Sequence, residues 1–112
     1  MSRDRGTVVW APDPFKSGDS NPRPWLLVSA GLPYDDSEAI GVAFTSQSHH
    51  PGSLAVSTEA WLRGEPDRQS HVLPWTVATL KTDGDVVGVQ GTVTRSFTDA
   101  VVSEIVSYLD DE

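Results

Sequence analysis

The sequence contains no cysteine, which excludes disulfides and thiolate metal sites and leaves the redox compartment unread. No apolar run approaches the roughly 20 residues that a membrane-spanning helix needs. The opening Met-Ser-Arg-Asp-Arg leads into a strand-like segment without the apolar stretch of a signal peptide. A cytoplasmic protein with no membrane contact is therefore expected. Positive charge is scarce as well: the formal net charge is −8, with two Lys beside six Arg. Such a balance repels polyanions, and nucleic-acid-binding proteins are ordinarily basic. Asp outnumbers Glu eleven to five. Few Lys with abundant Asp looks like the surface of a halophilic protein, and an ordinary acidic protein is the other reading. In molar salt the Debye length falls to about 3 Å, so overall repulsion would scarcely reach a ligand while local cations still act.

What is present fits one domain, residues 1–112, with a single core supplied by four Trp, three Phe and many Val. The β-branched and aromatic run Thr7–Ala11 reads as a strand. Residues 12–24 hold four Pro and read as a long loop, a place where function often resides. Residues 25–29 are continuously apolar up to Ser29 and read as a central strand; 39–44 form another, ending at Thr45. A short strand, Leu54–Val56, follows the loop at 48–52, and 62–70 read as loop. Residues 70–73 and 77–81 read as strand pieces broken at Pro74. Asp83-Gly84 carries the signal of a tight hairpin, followed by a glycine-bent strand over 86–93. From Phe97 the period changes. Phe97, Val101, Ile105 and Leu109 recur every four residues, the stripe of an amphipathic helix. Thr94 or Ser96 can cap it, with Asp99 in the first turn. Short curved strands and one terminal helix predict a mainly β chain, a small barrel or strongly bent sheet with a C-terminal α-helix.

Two segments carry chemical promise. Pro22-Arg23-Pro24 precedes one strand, and Thr45-Ser46-Gln47 ends the next. A guanidinium fork and a pair of hydroxyls at strand ends can converge on a phosphate. The flanking prolines restrict the backbone around Arg23. Read from spacing alone, Arg23 is first a loop surface charge and Thr45 a β-branched strand end. His49 and His50 follow in the next loop, where an imidazole can carry protons near neutral pH or simply face solvent. His71 lies in a strand-like segment and reads as structural. Trp61 and Trp75 border loops, so each can stack a base or join the core. Lys16 is one of the few cations in the long loop.

These segments, taken in order, resemble the PemK/MazF family of toxin endoribonucleases. Arg5-Gly6-Thr7-Val8-Val9-Trp10 resembles its opening strand, and Arg23-Pro24-Trp25-Leu26-Leu27-Val28-Ser29 its Arg-Pro-apolar segment. Phe44-Thr45-Ser46-Gln47 resembles its Thr-Ser strand end. The run from Ser70 to Leu80 resembles a form of its central segment, and Gly91-Thr92-Val93-Thr94 its run into a terminal helix. The resemblance implies an SH3-like barrel that forms a homodimer, binds a cognate antitoxin protein and cleaves single-stranded RNA without metal or other cofactor. It implies that Arg23, Thr45 and Ser46 are catalytic. RNA contacts would then fall to Lys16, Gln47, His49, His50 and Trp75.

One stretch departs from the family pattern. Where relatives often have an acid and a cation in an Asp-Gln-Val-(Arg/Lys) stretch, this chain reads Trp75-Thr76-Val77-Ala78. Two alternatives to an RNA-cleaving toxin follow: a binding module without catalysis, and a toxin of the same fold that inhibits a protein target such as a topoisomerase.

Overall fold

A computed structural model describes residues 4–12, 22–47, 50–64 and 70–110. Among them seven strands precede one helix: β1 (Thr7–Ala11), β2 (Arg23–Leu27), β3 (Glu38–Thr45), β4 (Leu54–Val56), β5 (Trp61–Arg63), β6 (Ser70–Lys81), β7 (Gly88–Val93) and α1 (Arg95–Leu109). The strands form one antiparallel sheet in the order β4-β6-β3-β2-β1-β7-β5, curled into a nearly closed barrel. This is the mainly β architecture with a C-terminal helix expected from the sequence.

Both faces of the central strands are buried, which explains their unbroken apolar runs. Val8, Leu26, Val42, Phe44 and Val72 point to one side, where Val101 of α1 is fully buried and Phe97 and Ile105 pack. Val9, Trp25, Leu27, Ala43 and Leu80 point to the other. The indole N–H of Trp25 is satisfied by the Ala11 carbonyl at 3.2 Å. At the far end of the sheet, β5 lies so close to β7 that only Gly64 and Gly91 fit. Any Cβ there would run into the backbone opposite, and Gly64 has φ of 75°.

Four expectations change. First, β2 begins at Arg23, inside the stretch read as loop, and ends at Leu27. The ladder continues past it because the Ser29 hydroxyl accepts from the Ile40 amide at 2.8 Å. Second, β5 takes in Leu62 and Arg63, the first of the residues read as loop. It pairs through backbone with β7 while Leu62 stays exposed, so no apolar alternation announces it. Third, Pro74 does not end β6. The register with β3 shifts from Val42↔Val77 to Ala43↔Leu73, so Pro74, Trp75 and Thr76 form a bulge within one long strand. The Thr76 hydroxyl closes this gap, donating to the Leu73 carbonyl at 2.6 Å and accepting from the Ala43 amide at 2.9 Å.

Fourth, Asp83-Gly84 turns the chain without making a hairpin. β6 runs beside β3 and β4, whereas β7 runs beside β1 and β5. Thr82 is buried and donates its hydroxyl to the Ser37 carbonyl at 2.8 Å, which turns the chain toward the other side of the barrel. The helix is capped as expected by Thr94, whose hydroxyl accepts from the Phe97 amide at 3.1 Å. Asp99, however, lies beyond the first turn and is bound by Arg5 at 2.7 Å. The apolar stripe is covered as far as Ile105, and Leu109 is exposed.

Candidate active site

Arg23 is the first residue of β2 and stands opposite Ala11 of β1. On its other side β2 pairs with β3, with Trp25 opposite Ala43. Continuing that register by two residues sets Arg23 opposite Thr45, the last residue of β3. The Arg23 side chain is half-buried, and its Nη2 donates to the Phe44 carbonyl at 2.5 Å. This contact holds the guanidinium over the end of β3.

Thr45 is half-buried, and its Oγ1 accepts from the Gln47 amide at 3.1 Å. That local turn leads the chain off the sheet and leaves Ser46 and Gln47 exposed just beyond. The Thr45 hydroxyl keeps its proton to donate, because its bond to Gln47 uses a lone pair.

The same register yields a residue that the sequence did not bring forward. Thr45 is the direct partner of His71 on β6, and His71 is the partner of Ala55 on β4. Arg23, Thr45 and His71 therefore form one row across three strands. Val72 belongs to the helix side, so His71 points to the opposite face, which it shares with Trp25, Ala43 and Leu73. Direct cross-strand partners have Cβ atoms about 4.5–5.5 Å apart, so these side chains are neighbours. Their three strands carry one carboxylate, Glu38, which sits at the far end of β3 and pairs with Lys81 at 3.5 Å.

The remaining candidates are placed differently. His50 is half-buried in the turn before β4, where its carbonyl accepts from the Ser53 amide at 3.2 Å. Trp75 projects from the β6 bulge and packs edge-on against Tyr108 of α1, with centroids 6.1 Å apart. It thus contacts the helix end, while 44% of it stays exposed. Trp61 packs against Phe44 at 6.1 Å as part of the core margin. Lys16 and His49 lie outside the described residues. The stretch that departs from the family pattern is structural in its first half: Trp75 holds Tyr108 and Thr76 closes the bulge.

Among the described residues no group of three His, Asp or Glu is placed to hold a metal ion. A cavity of about 460 Å³ lined by Arg5, Leu62, Val93, Arg95 and Asp99 opens beside the start of α1. It lies at the opposite end of β1 from Arg23 and contains none of the candidate residues.

A guanidinium beside a hydroxyl, with an imidazole in the same row, is suited to a phosphodiester. The fold adds to that observation. Over 97% of its length the chain matches 97% of MazF from Deinococcus radiodurans, with a TM-score of 0.70 at 17% identity. The fold is that of MazF. The MazE–MazF complex from Deinococcus radiodurans is matched at a TM-score of 0.69 and 16% identity, over 100% of this chain and 99% of that one. A mycobacterial endoribonuclease in complex with its cognate antitoxin gives 0.66 and 18%, over 96% and 92%. No family model and no curated protein matches the sequence. In this MazF fold the Arg23–Thr45 pair occupies adjoining ends of β2 and β3, and no helix of the described residues is long and apolar enough to cross a membrane.

Proposed function

We propose that the chain, as a single domain, is the toxin of a type II toxin–antitoxin pair and a sequence-selective endoribonuclease that cleaves single-stranded RNA without a metal ion. The observation that carries this reading is the apposition of Arg23 and Thr45 at one end of a MazF-type barrel. In metal-free cleavage the RNA's own 2′-hydroxyl attacks the adjacent phosphorus, and the 5′-oxygen leaves. The transition state concentrates negative charge on the non-bridging oxygens. A preorganised guanidinium offers two donors to those oxygens, and a hydroxyl adds a third. Arg23 is held in place by the Phe44 carbonyl, so little reorganisation is needed when the charge develops.

Arg23 thus stabilises the phosphorane, and Thr45 and Ser46 position the phosphate. Gln47 and His50, with Lys16, His49 and the exposed face of Trp75, contact the RNA chain. A homodimer and a cognate antitoxin complete the system. The MazE–MazF complex of similar fold supports the antitoxin. Half-exposed Val77 and Val89, with Leu109, offer apolar surface for pairing. The acidic surface suits a salt-rich cytoplasm, where screening lets RNA approach the row.

A second reading is favoured by one observation: no carboxylate or cation stands at Trp75, Thr76, Val77 or Ala78. It is a MazF-like binding module that holds RNA, or a protein target, without cutting. Incubating the pure protein with mixed RNA in molar KCl with EDTA, and mapping any cut ends, separates the two. Cut ends carrying 2′,3′-cyclic phosphate and 5′-hydroxyl support the nuclease; intact RNA supports the module.

A further inference from the structure

The Arg23–Thr45 pair supplies charge and positioning but no group that takes a proton. Metal-free cleavage needs one, because the 2′-hydroxyl must be deprotonated as it attacks. Thr76, where the sequence departs from the family, has its hydroxyl committed to Leu73 and Ala43. The same row contains the missing chemistry. His71 stands directly across from Thr45 on the same face, half-buried. Among the described residues, none hydrogen-bonds to its ring nitrogens.

We propose that His71 is the proton acceptor of this site, taking the 2′-hydroxyl proton of the RNA while Arg23 and Thr45 hold the phosphate. This rests on the RNA-cleavage reading given above. Neutral imidazole removes the proton, the 2′-oxygen–phosphorus bond forms, and the phosphorus–5′-oxygen bond breaks. Water protonates the departing 5′-oxygen, and the resulting hydroxide takes the proton back from the imidazolium. The products are a 2′,3′-cyclic phosphate and a 5′-hydroxyl, and no oxidant or other co-reactant is involved.

The geometry suits the role. The cation of the row is one residue removed from the imidazole, with Thr45 between them, so a phosphate held by Arg23 and Thr45 brings its ribose toward His71. Among the described residues the titratable groups on the surrounding elements are few. Beyond Thr45, β2 contributes Arg23; the turn before β4 contributes His50, and β4 itself presents Ala55. Glu38 and Lys81, on β3 and β6, lie at the far end of those strands. Imidazole is the side chain suited to exchange protons near neutral pH.

The experiment compares wild type, Arg23→Ala, His71→Gln and His71→Ala on one RNA that the wild type cuts, after checking that each variant keeps the wild-type melting curve. The expected result is a fall in cleavage rate of about 10²–10⁴ for His71→Gln. Binding of the same RNA in uncleavable 2′-O-methyl form should stay within about twofold of wild type. The limb of the wild-type pH–rate profile that reports a general base should vanish. Imidazole in the buffer should restore part of the rate of His71→Ala. In the unsubstituted protein the His71 ring resonances should shift when the 2′-O-methyl RNA is added. His71→Gln within about threefold of wild type, with Arg23→Ala inactive, overturns the role of His71 alone. Unmoved ring resonances do so as well. A wild type that cuts no RNA overturns the cleavage reading together with it.

Discussion

The guanidinium of Arg23 donates to the carbonyl of Phe44, the residue immediately before Thr45. Two neighbouring strand ends are thereby tied through a side chain proposed to bind the scissile phosphate. Arg23→Lys keeps the charge but loses the planar fork, which a point charge cannot replace. Its RNA cleavage is expected to fall by about 10²–10³. Loss of the bond to Phe44 should lower stability by only about 1 kcal/mol. Kinetics alongside chemical denaturation check both halves of this expectation.

The Thr76 hydroxyl makes two bonds inside the β6 bulge, to the Leu73 carbonyl and the Ala43 amide. Thr76→Val leaves both backbone groups without that partner. The expected loss is about 2–3 kcal/mol in a urea melt. Thr76→Ser, which keeps the oxygen, should recover most of it.

Thr94 caps α1 by accepting from the Phe97 amide, and its carbonyl accepts the Thr98 hydroxyl at 3.0 Å. Thr94→Ala should cost about 1 kcal/mol, and Thr94→Asp should cost much less because Asp caps as well. Thermal melts of the two variants give the comparison.

The Asp35 carboxylate is held below its ordinary range, first by the Ser37 hydroxyl and then by the Ser37 amide. A depressed folded-state value stabilises the fold above the unfolded value and is lost as pH falls through the folded one. The stabilisation is therefore fully present at neutral pH, and its change with pH is confined to pH below about 4. Ser37→Ala should lower stability slightly at neutral pH, flatten the acid limb of stability against pH and leave the most acid region nearly unchanged. The group is exposed, so the change should be small.

Much of the fold is legible in the sequence because the central strands are buried on both faces. Val8, Val9, Trp25, Leu26, Leu27, Val42 and Phe44 announce themselves as apolar runs. The helix is legible for a different reason: Val101 and Ile105 recur at its period, and Thr94 caps it. Features that depend on backbone or on distant partners are not legible. β5 carries exposed Leu62 and is held by the glycine contact with β7. Pro74 reads as a break because its missing amide is visible, whereas the Thr76 bonds that keep the strand going are not. Asp83-Gly84 carries a hairpin signal, but the side-chain bond from Thr82 to Ser37 joins different strands.

The candidate site divides in the same way. Arg23 and Thr45 stand out because each ends a strand beside a proline or a polar pair. Their adjacency appears only once β2 and β3 are set in register. His71 has no local signal at all: it sits in a strand whose register with β3 depends on the bulge at 74–76. One residue more or fewer in that bulge would leave a different side chain facing Thr45.

The most direct test is to incubate the purified wild-type chain with single-stranded RNA in molar KCl and EDTA, beside Arg23→Ala, and to map the ends. Cleavage at defined sequences by the wild type, leaving 2′,3′-cyclic phosphate and 5′-hydroxyl ends and abolished in Arg23→Ala, is the predicted result. RNA left intact by the wild type, or cut equally well by Arg23→Ala, would contradict it.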